Sequence, residues 1–270
     1  MKRRIAAFAD EVGSTLGEQI RAMKVNGVEL LEIRNVDGEN IADISSVKAK
    51  EIRKQLDHEG LEVWSLGSPF GKIGINDDFN HHLDSFKRNL ETAEILGAGH
   101  IRLFSFYGAA EIGPVLERLN KFVEAAIGSG IVLCHENEKG IYGDMAVKCL
   151  EIHKELPQIR AVFDPANYIQ CGQDTKKAWE LLEPYVEYMH IKDARPDGSV
   201  VPAGKGAGNL AWILSRYKGE VLTVEPHLAV FEGLANLEQE KKSKIGEYTY
   251  PDSQTAFAAA VNALKEMIGE

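Results

Sequence analysis

The sequence predicts a closed (β/α)8 barrel, and three observations carry that expectation. Strand-like and helix-like runs alternate along the whole chain as eight successive units. The last four strand-like runs, IVLCHEN, AVFDP, YMHIKD and VLTVEP, each end in a residue able to hold a metal ion: Glu136, Asp164, His190 and Glu225. Their gaps of 28, 26 and 35 residues each match one strand, one helix and two loops. An open doubly wound sheet that binds a nucleotide needs GxGxxG after an early strand, and the chain has none.

The elements follow in order. RIAAFAD is the first strand, and helical spacing runs from Thr15 to Lys24. VELLEIR, from Val28 to Arg34, is the second strand, with a helix from Ser46 to His58. LEVWSL is the third, before an amphipathic helix from Asp78 to Leu96. HIRLFSF is the fourth, and PVLERLNKFVEAAI forms a helix with Pro114 near its start, where a missing N–H costs nothing. IVLCHEN is the fifth, followed by a helix from Asp144 to Glu155. The three remaining strands precede helices near Asp174–Leu182, Asn209–Tyr217 and Ser253–Ile268. Gly27, Gly60, Gly97, Gly130 and Gly219 lie between helix and strand, where a left-handed cap suits glycine. We expect one domain over residues 1–270, with an unusually long connection from His227 to Pro251 before the last helix. EQEKKSKIGE within it reads as a solvated loop, of a length found in active-site lids and spurs.

Bulk properties narrow the function. The 270 residues are 44% hydrophobic and 27% charged, an ordinary globular composition without a run of eighteen apolar residues. A net charge of −10 argues against nucleic acid as partner, since that affinity is carried by Lys and Arg. The apolar stretch from Ile5 to Ala9 is too short for a signal peptide, and Asp10 and Glu11 follow at once. Three cysteines without disulfide or zinc spacing point to a reducing cytoplasm.

Strand parity gives the chemistry its geometry. With Glu136 facing the barrel interior, Val132 and Cys134 lie beneath it. The same parity places Val162 under Asp164, Tyr188 under His190 and Thr223 under Glu225. The four polar side chains then meet at the C-terminal mouth, where barrels carry their active sites. Three carboxylates so close raise one another's pKa, and a divalent cation relieves them. Taken singly, each residue is more often a turn, a cap, a hydrogen-bonded structural group or a solvated strand end; the regular spacing of all four is what counts.

These motifs resemble the xylose isomerase-like barrels, and more closely the sugar phosphate isomerase and epimerase group. The resemblance runs from FADEVG and VELLEIR through HEN, FDPAN, HIKDARPDG and GKGAGN to VEPH. It implies that Glu136, Asp164, His190 and Glu225 bind one divalent metal, manganese first, with magnesium, cobalt or zinc as alternatives. It also implies that Glu136 and Glu225 move a proton alpha to a carbonyl through a cis-enediolate, on a small sugar or polyol-derived ketone. Related barrels often form homo-oligomers. Ketose 3-epimerases carry a His where this chain has Asn167, and Asn does not shuttle protons. An isomerase of wider scope or an inositol-type enzyme fits that departure as well. An inosose dehydratase-like lyase is the alternative. An endonuclease IV-like repair enzyme, with its extra histidine ligands, and a non-catalytic sugar-binding barrel are remoter.

Supporting residues have competing readings. Arg195 is either an anchor for a substrate oxygen or a solvated loop arginine. Lys192 shares the inward parity of His190 and pairs with the site's carboxylates or lies at the surface; Asp193, of opposite parity, reads as structural. His227 reaches the rim of the site or is a loop histidine, and Asn167 hydrogen-bonds a substrate hydroxyl. Glu32 and Arg34 share parity on the second strand, and Arg102 and Phe104 on the fourth; they form an interior ion-pair network that shapes the pocket or simply fill the barrel, the second reading being favoured for Arg102. Trp64 and Phe70 offer aromatic faces that suit sugar C–H surfaces, with core packing as the default reading. The glycines of GKGAGN are a flexible turn or, as the alternative, a phosphate cradle.

Overall fold

The computed structural model describes residues 3–229, 244–245 and 248–270. Eight parallel strands close into a barrel: β1 (Arg4–Ala7), β2 (Leu30–Ile33), β3 (Glu62–Leu66), β4 (His100–Leu103), β5 (Val132–Glu136), β6 (Arg160–Phe163), β7 (Val186–Ile191) and β8 (Val221–Val224). They stand in chain order, and the ring closes by β1 on β8, with Arg4 opposite Val221. The helices are α1 (Leu16–Val25), α2 (Ser46–Glu59), α3 (Phe79–Leu96), α4 (Ile112–Ala126), α5 (Ala146–Glu155), α6 (Thr175–Leu182), α7 (Leu210–Leu214) and α8 (Ser253–Ile268). None of the helices described is long and apolar enough to cross a membrane.

Local chemistry sets the helix ends. Thr15 and Glu18 form a reciprocal capping box at α1, while Ser45, Asp78, Asp174 and Asp252 cap α2, α3, α6 and α8 through their side-chain oxygens. Gly60 and Gly97 end α2 and α3 at φ of 71° and 72°. Gly219 departs from the expected cap: it lies outside the left-handed region, and a Cβ there would meet the Tyr217 hydroxyl.

The core has two layers. The barrel interior is filled by Ala6, Leu30, Cys134, Val162, Tyr188 and Val221. A larger cluster lies between strands and helices, and includes Phe86, Phe122, Phe163 and Trp179, each buried. Each such side chain contributes roughly 1.5–3 kcal/mol on leaving water. Trp64 stacks on His100 at 4.0 Å near the barrel floor, and Phe70 packs on Phe86 at 5.3 Å, so both aromatics belong to the core.

Three small features were not visible in the sequence pattern. A hairpin pairs Asn35–Val36 with Glu39–Asn40, and a short helix, Pro165–Gln170, follows β6 directly. Beyond β7, Asp193–Ala194 pairs with Ser199–Val201, which also pairs with Lys244–Ile245. Most of the long connection expected from His227 to Pro251 lies outside the described residues.

Candidate metal centre

Glu136 ends β5, Asp164 follows β6, His190 is the penultimate residue of β7 and Glu225 follows β8. One ligand atom from each lies within 4.8 Å of the others, and all four side chains are buried. Asp164 has two duties. Its Oδ1 accepts the Asn167 amide at 3.0 Å and so caps the Pro165–Gln170 helix, while Oδ2 faces Lys192 at 2.9 Å. The cap and the ligand readings of Asp-Pro are therefore compatible.

Buried cations surround the four residues. Arg102 Nη1 lies 3.1 Å from Glu136 Oε2, which corrects the reading of Arg102 as barrel filling. Lys192 Nζ lies 2.7 Å from Glu225 Oε2. Arg34 donates to both Asp10 oxygens at 2.9 and 3.0 Å, to Glu11 at 3.3 Å and to Glu225 at 3.2 Å. His190 Nδ1 is 3.0 Å from Glu136 Oε1 and 3.7 Å from Glu225 Oε2. Its Nε2 is 3.2 Å from Glu32, which also accepts the Tyr188 hydroxyl at 2.9 Å.

These neighbours decide protonation. Burial pushes Asp164 up to about 6, with Lys192 opposing it. Burial acts on Glu225 in the same direction, but Lys192 heads the opposing charges and holds Glu225 well below the usual carboxylate range. Burial disfavours charge on Lys192 and His190 too. Asp164 and Glu225 nevertheless keep the lysine charged, and Glu136 and Glu32 raise the imidazole to about 10. Glu11 is pushed up to about 8 by burial, and burial keeps His227 neutral.

The donor set fits a divalent cation. Three buried carboxylates and one imidazole form a hard, oxygen-rich group. Without a cation, Glu136 and Glu32 favour a charged His190, and Asp164 and Glu225 favour a charged Lys192, so the carboxylates call for positive charge among them. A second group, Glu11, Glu225 and His227, also falls within 4.8 Å, and there the Arg34 guanidinium supplies the charge.

The remaining expected residues are placed as follows. Asn167 Nδ2 donates to the Asn137 carbonyl at 2.9 Å and to Glu136 Oε1 at 3.3 Å, so it steadies a candidate ligand. His227 adopts φ of 45°, fixed by its amide donating to Glu11 Oε2 at 2.7 Å, and its ring lies 3.5 Å from Glu225. Lys192 and His227 both line a narrow, polar cavity at the barrel mouth. Arg195 is not among the described residues lining it; it stands at the turn of the hairpin, its amide donating to Ser199 O at 2.8 Å. The carboxylate of Asp193 accepts the amides of Gly204, Gly206 and Gly208 at 3.0, 2.9 and 2.8 Å. The glycine-rich amides are thereby occupied, and the phosphate-cradle alternative gives way to an internally closed turn.

The cavity also contains Lys72, Glu138 and Lys139, which sequence reasoning passed over. Lys72 and Lys139 approach Glu138 at 3.2 and 3.4 Å. All three sit on loops after β3 and β5, where no period reports side-chain direction. The one available signal was the adjacency of Glu138 to HEN.

The family model described as the xylose isomerase-like TIM barrel matches residues 18–239. No curated protein matches the sequence. Among solved structures, the chain is similar to an IolI protein with a binding zinc atom, at 15% identity, TM-score 0.76 and 98% coverage of both chains. It is similar to a probable 3-DHS dehydratase, AsbF, involved in petrobactin synthesis from Bacillus anthracis, at 15% identity and TM-score 0.74, covering 98% of this chain and 99% of that one. It is also similar to an L-ribulose 3-epimerase, at 16% identity and TM-score 0.73, covering 100% of this chain and 95% of that one. At these identities the likeness is one of fold.

Proposed function

The chain belongs to the xylose isomerase-like TIM barrel family, and from that premise we propose a metal-dependent isomerase or epimerase acting on a small sugar or polyol-derived ketone. The observation that carries the proposal is the convergence of Glu136, Asp164, His190 and Glu225 within 4.8 Å at the barrel mouth. These four residues would hold one divalent ion, manganese as first choice, with magnesium, cobalt or zinc as alternatives. When bound, that ion supplies Lewis-acid polarisation of a carbonyl next to a hydroxyl.

The protein's own groups do the rest. Glu136 and Glu225 are the proton-transfer pair, one removing a carbon-bound proton and the other returning one, a form of catalysis that contributes roughly 10²–10⁴-fold. Arg102 and Asn167 hold Glu136, while Arg34 and Lys192 hold Glu225, so each carboxylate keeps one orientation. The same cations sit beside charge developing on substrate oxygens. In this reading Lys192 and His227 contact substrate from the cavity wall. Arg195 would serve only a substrate long enough to reach the hairpin. Cys134 and Cys149 are buried and Cys171 is half-buried, none of them in a disulfide, which suits a reducing cytoplasm.

A dehydratase reading draws on Glu11. This residue is held up to about 8, within reach of Glu225, and so provides an acid for a departing hydroxyl. Incubation of manganese-loaded protein with a panel of ketoses and inososes in heavy water tests both. Carbon-bound deuterium without mass loss identifies isomerisation or epimerisation, and loss of one water identifies the lyase. Glu136→Gln and Glu225→Gln should each abolish deuterium incorporation while the protein stays folded. Full activity in either variant removes the proton-transfer role.

A further inference from the structure

We infer that Glu32 is a positioning residue of the metal centre: it fixes which nitrogen of His190 is presented to the cation. The inference rests on the metal-dependent reading above. His190 is wholly buried, and its two nitrogens face opposite ways. Nδ1 looks into the candidate ligand group, 3.0 Å from Glu136 Oε1. Nε2 looks away from it, 3.2 Å from Glu32 Oε2. A neutral imidazole ligates through the nitrogen that carries no proton, so the other must carry it. Ionised Glu32 can only accept, so it draws that proton to Nε2 and leaves the Nδ1 lone pair aimed among the carboxylates.

The orienting carboxylate is itself clamped. Its Oε1 accepts the Tyr188 hydroxyl at 2.9 Å, and that hydroxyl lies 3.2 Å from Ser65 Oγ. Glu32 stands on β2 and Tyr188 and His190 on β7, so the chain of contacts spans the barrel interior. Glu32 shares the inward parity of Leu30, and the register shift between Leu31 and Glu32 against β3 falls at that point. The rings of Phe8 and Tyr188 pack edge-on to the imidazole at 5.2 and 5.6 Å and oppose its rotation. A partner of this kind locks the ring and raises the basicity of the ligating nitrogen, and its loss commonly costs 10–100-fold in metal affinity.

Manganese affinity, measured by competition with a chelator, tests the inference in wild type, Glu32→Gln and Tyr188→Phe. Glu32→Gln keeps the shape and an acceptor oxygen but loses the charge, and should weaken manganese binding roughly 10-fold or more. Tyr188→Phe should weaken it by less. In zinc-loaded wild type, nitrogen NMR of His190 should show a proton on Nε2 and none on Nδ1, a signature that a merely structural role for Glu32 does not require. Affinity in Glu32→Gln within about twofold of wild type overturns the inference, as does a zinc-loaded His190 protonated on Nδ1. If Glu32→Gln fails to fold, the wild-type NMR result decides alone. Absence of metal binding by wild type removes the metal-dependent reading and this inference together. Binding by wild type that the variant matches removes the inference alone.

Discussion

Lys192 Nζ lies 2.7 Å from Glu225 Oε2, and the same ammonium lies 2.9 Å from Asp164 Oδ2. One buried lysine thus bridges two of the four candidate ligands. Removing one partner from a buried ion pair costs about 3–5 kcal/mol, because the other charge is left uncompensated. Lys192→Met should therefore lower the unfolding free energy of the metal-free protein by several kcal/mol. A bound divalent cation replaces the missing charge, so saturating manganese should stabilise the variant more than it stabilises wild type. Urea unfolding with and without manganese measures both differences. Equal manganese-induced shifts would show that the lysine and the ion do not share these carboxylates.

The Asp193 carboxylate organises the turn before α7 through its bonds to Gly204, Gly206 and Gly208. Hydrogen bonds to a charged acceptor contribute about 1.5–3 kcal/mol each. Asp193→Ala should destabilise the protein by at least about 3 kcal/mol, seen as a lower urea midpoint. Because those amides already have an acceptor, millimolar inorganic phosphate should leave their NMR resonances unmoved in wild type. A phosphate-dependent shift confined to these glycines would count against the closed turn.

Gly71 sets the approach of two loop segments at the barrel mouth. Its φ is +93°, and a Cβ there would lie 2.0 Å from the Phe104 carbonyl oxygen. Its amide donates to His82 Nε2 at 2.8 Å, and its carbonyl accepts from Phe106 at 2.9 Å. Gly71→Ala combines backbone strain with a collision against main chain, and should cost more than about 1 kcal/mol. The neighbouring Lys72 lines the cavity, so the variant should also weaken substrate binding. Unchanged stability by calorimetry would mean that the two segments separate at little expense.

The order of strands and the convergence of the four candidate ligands were legible because both rest on regular repeats. A two-residue strand period fixes which side chains enter the barrel, and the spacing of about one unit fixes the order around it. That is how residues as distant as Glu136 and Glu225 could be brought together from sequence. Loops have no such period. Lys72, Glu138 and Lys139 lie on loops, and their place around the cavity emerged only with the backbone, as did the pairing of Asp10 and Glu11 with Arg34. Partnerships inside the barrel were equally hidden. Parity put Glu32 and Arg102 inward, but not Glu32 on His190 or Arg102 on Glu136, because those pairs depend on side-chain reach between non-adjacent strands.

His153 gives a pH dependence whose sign follows from its surroundings. The ring is fully buried on α5, Nδ1 donates to the Ile159 carbonyl at 3.0 Å, and Tyr185 stacks on one face. Burial pushes its pKa down to about 4. Above pH 6.5, the ordinary value, folded and unfolded chains both carry a neutral ring and the group has no effect. Below it, the unfolded chain takes up a proton that the folded chain refuses, so stability falls as pH drops toward 4. The full loss is roughly 3 kcal/mol at about 1.4 kcal/mol per pH unit. His135, lowered by burial beside it at 5.7 Å, acts in the same direction. His153→Phe should lose about 1 kcal/mol at pH 7.5, from the missing hydrogen bond. Between pH 6.5 and 4.5 its stability should decline less steeply than that of wild type, by about one proton's worth of slope. Urea unfolding across this range in both proteins decides the matter: parallel slopes would mean that His153 takes up its proton as readily in the fold as outside it.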